Sequence, residues 1–301
     1  MNKPVIVGLG EVLWDLLPHG KFLGGAPANF AFHASQLGAE GIVASAIGRD
    51  DDGRAIQAQL AGLGLDTRYL QWSDAPTGTV TATLDAEGKA TYTIHEDTAW
   101  DDFRASAEWD ALAKHTDAVC FGSLAQRTPG SRGILRRFVQ LTPPHCLRLF
   151  DINLRQHYFG HATIHFSLQL AHIFKLNDEE LPVVAALLEL PDNEAETITA
   201  LWEHYPTLQV VALTRGASGS TLFTRFRRSD HPGYPLAAGV VPDTVGAGDA
   251  FTAALAVGLL RFEDLDTIHA RASRIASFVC SQPGATPAHV ATESVLVQKH
   301  P

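Results

Sequence analysis

Short apolar runs alternating with helix-period segments constrain this chain more than any other feature. The runs lie at residues 5–7, 41–46, 118–121, 147–150, 172–175 and 210–213, most of them bounded on the carboxyl side by Gly, Asp or Asn. Helix-period segments fall between them at 27–37, 53–63, 132–140, 178–188 and 194–204. Parallel strands need long crossovers, and the helices that make them cover both faces of the sheet. The pattern therefore predicts a three-layer α/β fold, a mostly parallel central sheet flanked by helices. At 301 residues the chain is long enough for one large domain, and 1–301 reads as a single unit.

Two stretches break the rhythm. Residues 11–24 and 77–95 read with a period of two, and the second is rich in Thr. Asp85-Ala-Glu-Gly88 predicts a hairpin turn inside the second. Such strands suit a small separate sheet standing over the main one as a lid, inserted at about 11–24 and 77–100.

The most informative chemical segment is Asp243-Thr-Val-Gly-Ala-Gly-Asp249, which runs into the apolar helix pattern of 250–255. Small residues let an anion approach the backbone, and helix-start N–H groups attract negative charge. Asp249, in the same first turn, is placed to act on whatever that anion reacts with. A phosphoryl group beside a base fits this arrangement.

Other segments end strands or start helices in ways that suit ligands. Gly24-Gly25 precedes a helix bearing Asn29, a residue with both a donor and an acceptor. Asp15, on a lid strand, can accept hydrogen bonds from a polyol. Gly8-Leu-Gly10 follows a strand, but position 13 is Leu and another strand follows, so a dinucleotide fingerprint is excluded. Asp151-Ile-Asn-Leu-Arg155 ends a strand where side chains enter a ligand crevice, and Arg155 offers a planar fork. Asn177 and Glu180 share one helix face, either orienting Mg²⁺ through water or forming a capping box. Thr214-Arg-Gly-Ala-Ser-Gly219 is a glycine-bearing turn, read either as a hairpin or as backbone for nucleotide phosphates. His157, His161 and His165 have helical spacing but no supporting thiolates or carboxylates nearby, and they read as exposed.

Composition narrows the partners. Lys+Arg 23 against Asp+Glu 33 gives a formal charge of −10, which argues against nucleic acid. The basic run Arg225-Phe-Arg-Arg228 reads as a solvated hairpin face. Three widely spaced cysteines without a CxxC pair suit a reducing compartment. The first apolar run is too short for a signal-peptide core and no run reaches membrane-spanning length, so a cytoplasmic protein without a membrane partner is expected.

In order, the motifs are Gly24-Gly25…Asn29, Gly48-x-Asp50-x-x-Gly53, Thr77-Gly78, Asp151-x-Asn153-x-Arg155, Asn177-x-x-Glu180, Thr214-x-Gly216-x-x-Gly219 and Asp243–Asp249. In this order the chain resembles the ribokinase-like family of carbohydrate kinases over nearly its whole length. Gly-Gly-Ala-Pro-Ala-Asn, with Ala26 where the ribokinase branch usually has Lys, looks like the fructokinase branch.

The resemblance implies ATP-dependent phosphorylation of a sugar hydroxyl. By it, Asp249 is the base, and Gly246, Ala247 and Gly248 form the anion hole. Asp15, Gly25, Asn29 and Arg155 hold the sugar. Asn177 and Glu180 serve Mg²⁺–ATP, with Glu180 acting through water. Thr214, Gly216, Gly219 and Ser273 line the nucleotide site, Ser273 standing where some relatives place Asn. Asp243 and the Val245 carbonyl match a monovalent-cation site, for which K⁺ is the candidate. The lid closes over the sugar and is a candidate homodimer surface.

Ala250 replaces a frequent Ser and Ile152 a frequent Pro. The acidic stretch Glu96-Asp-Thr-Ala-Trp100 weighs against an acceptor that already carries phosphate. Fructose is the leading acceptor, with another sugar, a sugar acid such as 2-keto-3-deoxygluconate, or a nucleoside as alternatives. A non-catalytic sugar-sensing homologue is the reading from a different class.

Overall fold

The computed structural model describes residues 3–18, 20–84 and 90–288. The chain opens with β1 (Val5–Leu9), β2 (Leu13–Leu17) and β3 (Gly20–Gly24), then α1 (Ala26–Gln36), β4 (Glu40–Gly48), α2 (Asp51–Gly62) and β5 (Leu70–Ser73). Next come β6 (Gly78–Leu84), β7 (Ala90–Ile94), α3 (Ala107–Lys114), β8 (Ala118–Phe121), α4 (Pro129–Leu141) and β9 (Leu147–Asp151). They are followed by α5 (His161–Leu170), β10 (Ile173–Asn177), α6 (Glu180–Leu187), α7 (Glu194–His204) and β11 (Val210–Thr214). The hairpin β12 (Ser220–Thr224) and β13 (Arg228–His231) precedes the last two helices, α8 (Ala247–Leu260) and α9 (Leu265–Cys280).

Nine strands form the main sheet in the order β13-β12-β11-β10-β9-β8-β1-β4-β5. Pairings from β11 to β5 are parallel, while β12 runs antiparallel to both its neighbours. The order reverses around β1, which lies between β8 and β4, and ligands of open α/β sheets bind at the carboxyl ends of strands at such a reversal. Each expected apolar run is a strand of this sheet. The turn 225–227 between β12 and β13 is exposed, as expected for its arginines. The helix expected from 132 begins earlier, at Pro129, because Thr128 Oγ1 accepts from the Ser131 amide at 3.3 Å and Pro fits the first turn.

Alternating strand residues fill two cores. On one face Val7, Val119, Phe121, Phe150 and Phe174 pack against α3 to α7. The rings of Phe121, Phe150 and Phe174 stack at centroid distances of 5.4 and 5.6 Å. Each buried ring stabilises the layer by roughly 1.5–3 kcal/mol. On the other face Ile6, Cys120, Leu149 and Ile173 meet α1, α8 and α9. Helix α8 is apolar all round and buried from Asp249 to Gly258, which fits a helix held between sheet and neighbours. A Cβ on Gly8 would lie 1.9 Å from the Pro27 carbonyl oxygen, so α1 rests directly on the β1 backbone.

A second sheet of four strands, β3-β2-β6-β7, stands apart. It draws on both stretches with two-residue period. The turn expected at Asp85–Gly88 lies outside the described residues. Among the described residues no helix is long and apolar enough to cross a membrane.

Candidate active site

Helix α8 starts after Gly246, whose φ of 79° is left-handed. A Cβ there would also meet the Ala285 carbonyl oxygen at 2.5 Å, so glycine is required twice over. The next three residues, Ala247, Gly248 and Asp249, form the first turn, where a carboxylate is favoured by the helix dipole. Asp249 is buried, and Asn29 of α1 donates from Nδ2 to its Oδ2 at 2.9 Å. The second amide atom, Asn29 Oδ1, is buried and has no hydrogen-bond partner among the described residues. Burial pushes Asp249 up to about 6, helped by the charge of Asp151, while Asn29, Lys175 and Arg155 pull it down.

Beneath this turn lies an ion pair that sequence reasoning missed. Lys175 Nζ of β10 donates to Asp151 Oδ1 at 3.0 Å, and both side chains are buried. Thr252 Oγ1 of α8 sits 2.9 Å from both Asp151 Oδ2 and the Gly248 carbonyl oxygen. A Cβ on Gly248 would come within 3.0 Å of Lys175 Nζ, so the ammonium lies against the helix start. Burial pulls Lys175 down, but the charges of Asp151 and Glu180 outweigh it and the net direction is upward. The available signal was a lysine inside the apolar run 172–176, a position where lysine needs a partner.

On the acceptor side, Asp15 of β2 lies against Gly24, where a Cβ would be 2.2 Å from Asp15 Oδ2. Burial raises Asp15 to about 6, and Arg155 draws it down. Arg155 is exposed, donates from Nη1 to the Leu154 carbonyl at 2.9 Å, and its charge reaches Glu11, Asp15 and Asp249. Glu11 is a second missed residue. It is 5% exposed, its Oε2 has no partner among the described residues, and burial pushes it up to about 7. Gly25 packs against the Glu11 carbonyl at 2.5 Å from its would-be Cβ, with φ 111°. Asp15, Gly25, Asn29, Arg155 and Asp249 thus converge at the carboxyl end of β1.

Asn177 and Glu180 form the reciprocal cap. Glu180 N donates to Asn177 Oδ1 at 2.8 Å, and Asn177 N donates to Glu180 Oε2 at 2.8 Å. Glu180 Oε1 accepts from Leu154 N at 2.8 Å, tying the 151–155 loop to α6. These bonds close the turn at 178–179 between β10 and α6, and α6 begins at Glu180. Each carboxylate oxygen keeps a lone pair for a further hydrogen bond.

Thr214, Gly216 and Gly219 lie in the hairpin joining β11 to β12, and Arg215 N closes it on the Gly219 carbonyl at 2.8 Å. Ser273 of α9 reaches this hairpin, its Oγ 3.5 Å from Ser220 Oγ, which in turn is 2.8 Å from His269 Nε2. Asp243 accepts from Val245 N at 3.1 Å and from Gly284 N at 2.8 Å, so it ties the turn before α8 to the segment after α9. Among the described residues no three His, Cys, Asp or Glu side chains cluster as a metal site. His157 and His161 are exposed, and His165 Nδ1 lies 2.9 Å from the Tyr205 hydroxyl. A surface groove of about 440 Å³, lined by His172, Leu208 and Gln209 among others, lies at the amino ends of β10 and β11, away from Asp249.

A glycine-bearing helix start over a lysine, with a buried carboxylate in its first turn, is an arrangement whose chemistry suits phosphoryl transfer. The family model of pfkB family carbohydrate kinases matches residues 19–292, and the chain belongs to that family. It is a sugar kinase, an enzyme that phosphorylates an alcohol group of a small-molecule sugar. A fructokinase of Klebsiella pneumoniae is 30% identical over 288 residues, 92% of this chain and 91% of the relative. A 5-dehydro-2-deoxygluconokinase of Halalkalibacterium halodurans is 24% identical over 296 residues, 95% of this chain and 88% of the relative. The structure of an uncharacterized sugar kinase from Pyrococcus horikoshii in complex with ATP has a TM-score of 0.79 and 26% identity, covering 94% of each chain.

Proposed function

We propose that this chain transfers the γ-phosphoryl group of ATP to a hydroxyl of fructose. The observation that carries the reading is Asp249, buried in the first turn of the helix whose start rests on Lys175. Phosphoryl transfer asks for positioning and stabilised charge and little covalent help. The amides of Gly246, Ala247 and Gly248 supply fixed donors for the phosphoryl oxygens, and Lys175 adds a positive charge beneath them. Asp249, ionised above about pH 6, accepts the hydroxyl proton as the oxygen bonds to phosphorus and ADP departs.

Asp15, Gly25, Asn29 and Arg155 hold the sugar. Asn29 Oδ1, without a partner among the described residues, awaits a donor, which a hydroxyl provides. Thr214, Gly216, Gly219 and Ser273 line the nucleotide. Mg²⁺, when bound, neutralises charge on the ATP phosphates, and Asn177 and Glu180 would hold it through water. The Val245 carbonyl and Asp243 are the place for K⁺. We assign the small sheet as a lid inserted in one kinase domain, closing over the sugar to exclude water. Among the described residues its edge strands β3 and β7 each pair on one side alone, and the lid is the candidate surface for a homodimer. The free thiols of Cys120, Cys146 and Cys280 suit the cytoplasm.

Fructose is favoured by Gly24-Gly-Ala-Pro-Ala-Asn29 and by the fructokinase relative. The 5-dehydro-2-deoxygluconokinase relative supports the second reading, a sugar-acid acceptor. ADP release measured over hexoses, keto acids and nucleosides tests both. The highest kcat/KM is expected with fructose. A better acceptor elsewhere in the panel would replace fructose, and no turnover with any of them would overturn the phosphoryl-transfer reading.

A further inference from the structure

Two loops meet where the small sheet returns to the main one. The first, residues 152–160, follows β9 and carries Arg155. The second, residues 95–101, leads out of β7. Gln156 Nε2 of the first donates to the Tyr92 carbonyl of β7 at 2.7 Å. The Tyr158 hydroxyl donates to Glu96 Oε1 at 2.8 Å, so the acidic stretch after β7 is already engaged. Arg127 closes the junction from behind. Its Nη2 donates to the His95 carbonyl at 2.6 Å, and its guanidinium lies 3.9 Å from the Trp100 ring and 4.7 Å from the Tyr158 ring. The ion pair it makes with Asp101 is buried, with side chains 5% and 7% exposed.

The strand in this junction borders the acceptor site. Asp15 pairs with Val80, Val80 with Ile94, and Tyr92 is two residues from Ile94, so Asp15 and Tyr92 share one face of the small sheet. The loop opposite is strained. Asn153 and Gln156 are left-handed at φ 45° and 49° without being glycine, and such a conformation persists only where surroundings hold it. Glu180 anchors the near end through Leu154 N, and β7 anchors the far end through Gln156 and Tyr158. Arg155 stands between these anchors. Its charge reaches Asp15, Glu11 and Asp249.

We propose that Gln156 and Tyr158 are positioning residues that couple the small sheet to Arg155, so that seating the lid over a sugar sets where the guanidinium stands. The inference rests on the reading of the small sheet as a lid over the acceptor. Neither residue touches the reacting atoms.

The test is the double variant Gln156→Ala/Tyr158→Phe, with Arg155→Ala as the second arm of a cycle. The acceptor KM should rise about tenfold, as expected from lost hydrogen bonds, with kcat and the ATP KM within about twofold of the parent. In the Arg155→Ala background the same double variant should add nothing, because the coupling acts through that side chain. Additive losses, or a fall in kcat at unchanged KM, would overturn the proposal. Hydrogen exchange gives a readout independent of turnover. The amides of residues 154–158 should exchange faster in the double variant while those of β9 stay protected. Unchanged loop exchange would sink the coupling even if no sugar were phosphorylated, and an inactive parent with faster loop exchange would fault the assigned reaction instead.

Discussion

Asn29 and Asp249 are joined by one hydrogen bond, 2.9 Å from amide nitrogen to carboxylate oxygen, across 220 residues of sequence. The bond orients the carboxylate and, by favouring its charged form, lowers its pKa against a burial that raises it to about 6. Asn29→Ala removes the donor, so Asp249 holds its proton to higher pH. Activity should fall as pH drops through about 6 in the parent. In the variant the acid limb of kcat/KM should lie about half to one pH unit higher, the equivalent of one hydrogen bond. A pH–rate profile over pH 5–9 reads the difference, and superimposable acid limbs would rule the bond out as a tuning device.

Glu11 makes a separate claim about stability. Its carboxyl moves from an ordinary value of 4.5 to about 7 on folding, chiefly through burial. Between those values the folded chain keeps a proton that the unfolded chain releases, so stability is present at low pH and lost as pH rises through the window. At about 1.4 kcal/mol per pH unit, that loss is on the order of 3 kcal/mol above pH 7. Glu11→Gln cannot ionise and should escape it. Urea melts should show the variant more stable than the parent at pH 8 and nearly equal at pH 5. A destabilised variant at pH 8 would contradict the argument.

Lys175 and Asp151 form a buried pair, and removing one partner leaves the other charge uncompensated. Lys175→Met should therefore destabilise the protein by about 3–5 kcal/mol. Adding Asp151→Asn should restore much of the loss, since the stranded charge is gone. Turnover should stay low in both, because the positive charge under Gly248 is missing. Urea unfolding of the two variants, read beside ADP release, distinguishes these effects.

The fold was largely legible because its strands are short apolar runs with helical segments between them. The arginine-bearing turn at 225–228 read as a hairpin face, while the bounds of its flanking strands β12 and β13 came only with the fold. Candidate site residues in glycine-rich turns stood out by local chemistry, and the order of the motifs along the chain carried the family. Lys175 and Glu11 did not stand out, because their burial and their neighbours come from segments distant in sequence. For Asn177 and Glu180 the sequence allowed a cap or a metal role, and the fold joins the two residues by reciprocal hydrogen bonds. The link from Gln156 to Tyr92 depends on two left-handed residues and has no local signature at all.

The central claim is that Asp249 takes the proton of the acceptor hydroxyl. Asp249→Asn keeps the shape of the side chain and removes the base, so the direct measurement is kcat by ADP release beside sugar binding by calorimetry. The account predicts a loss of kcat on the order of 10³-fold or more with sugar affinity and melting temperature near the parent's. Turnover within about tenfold of the parent, smaller than a positioned base contributes, would contradict it.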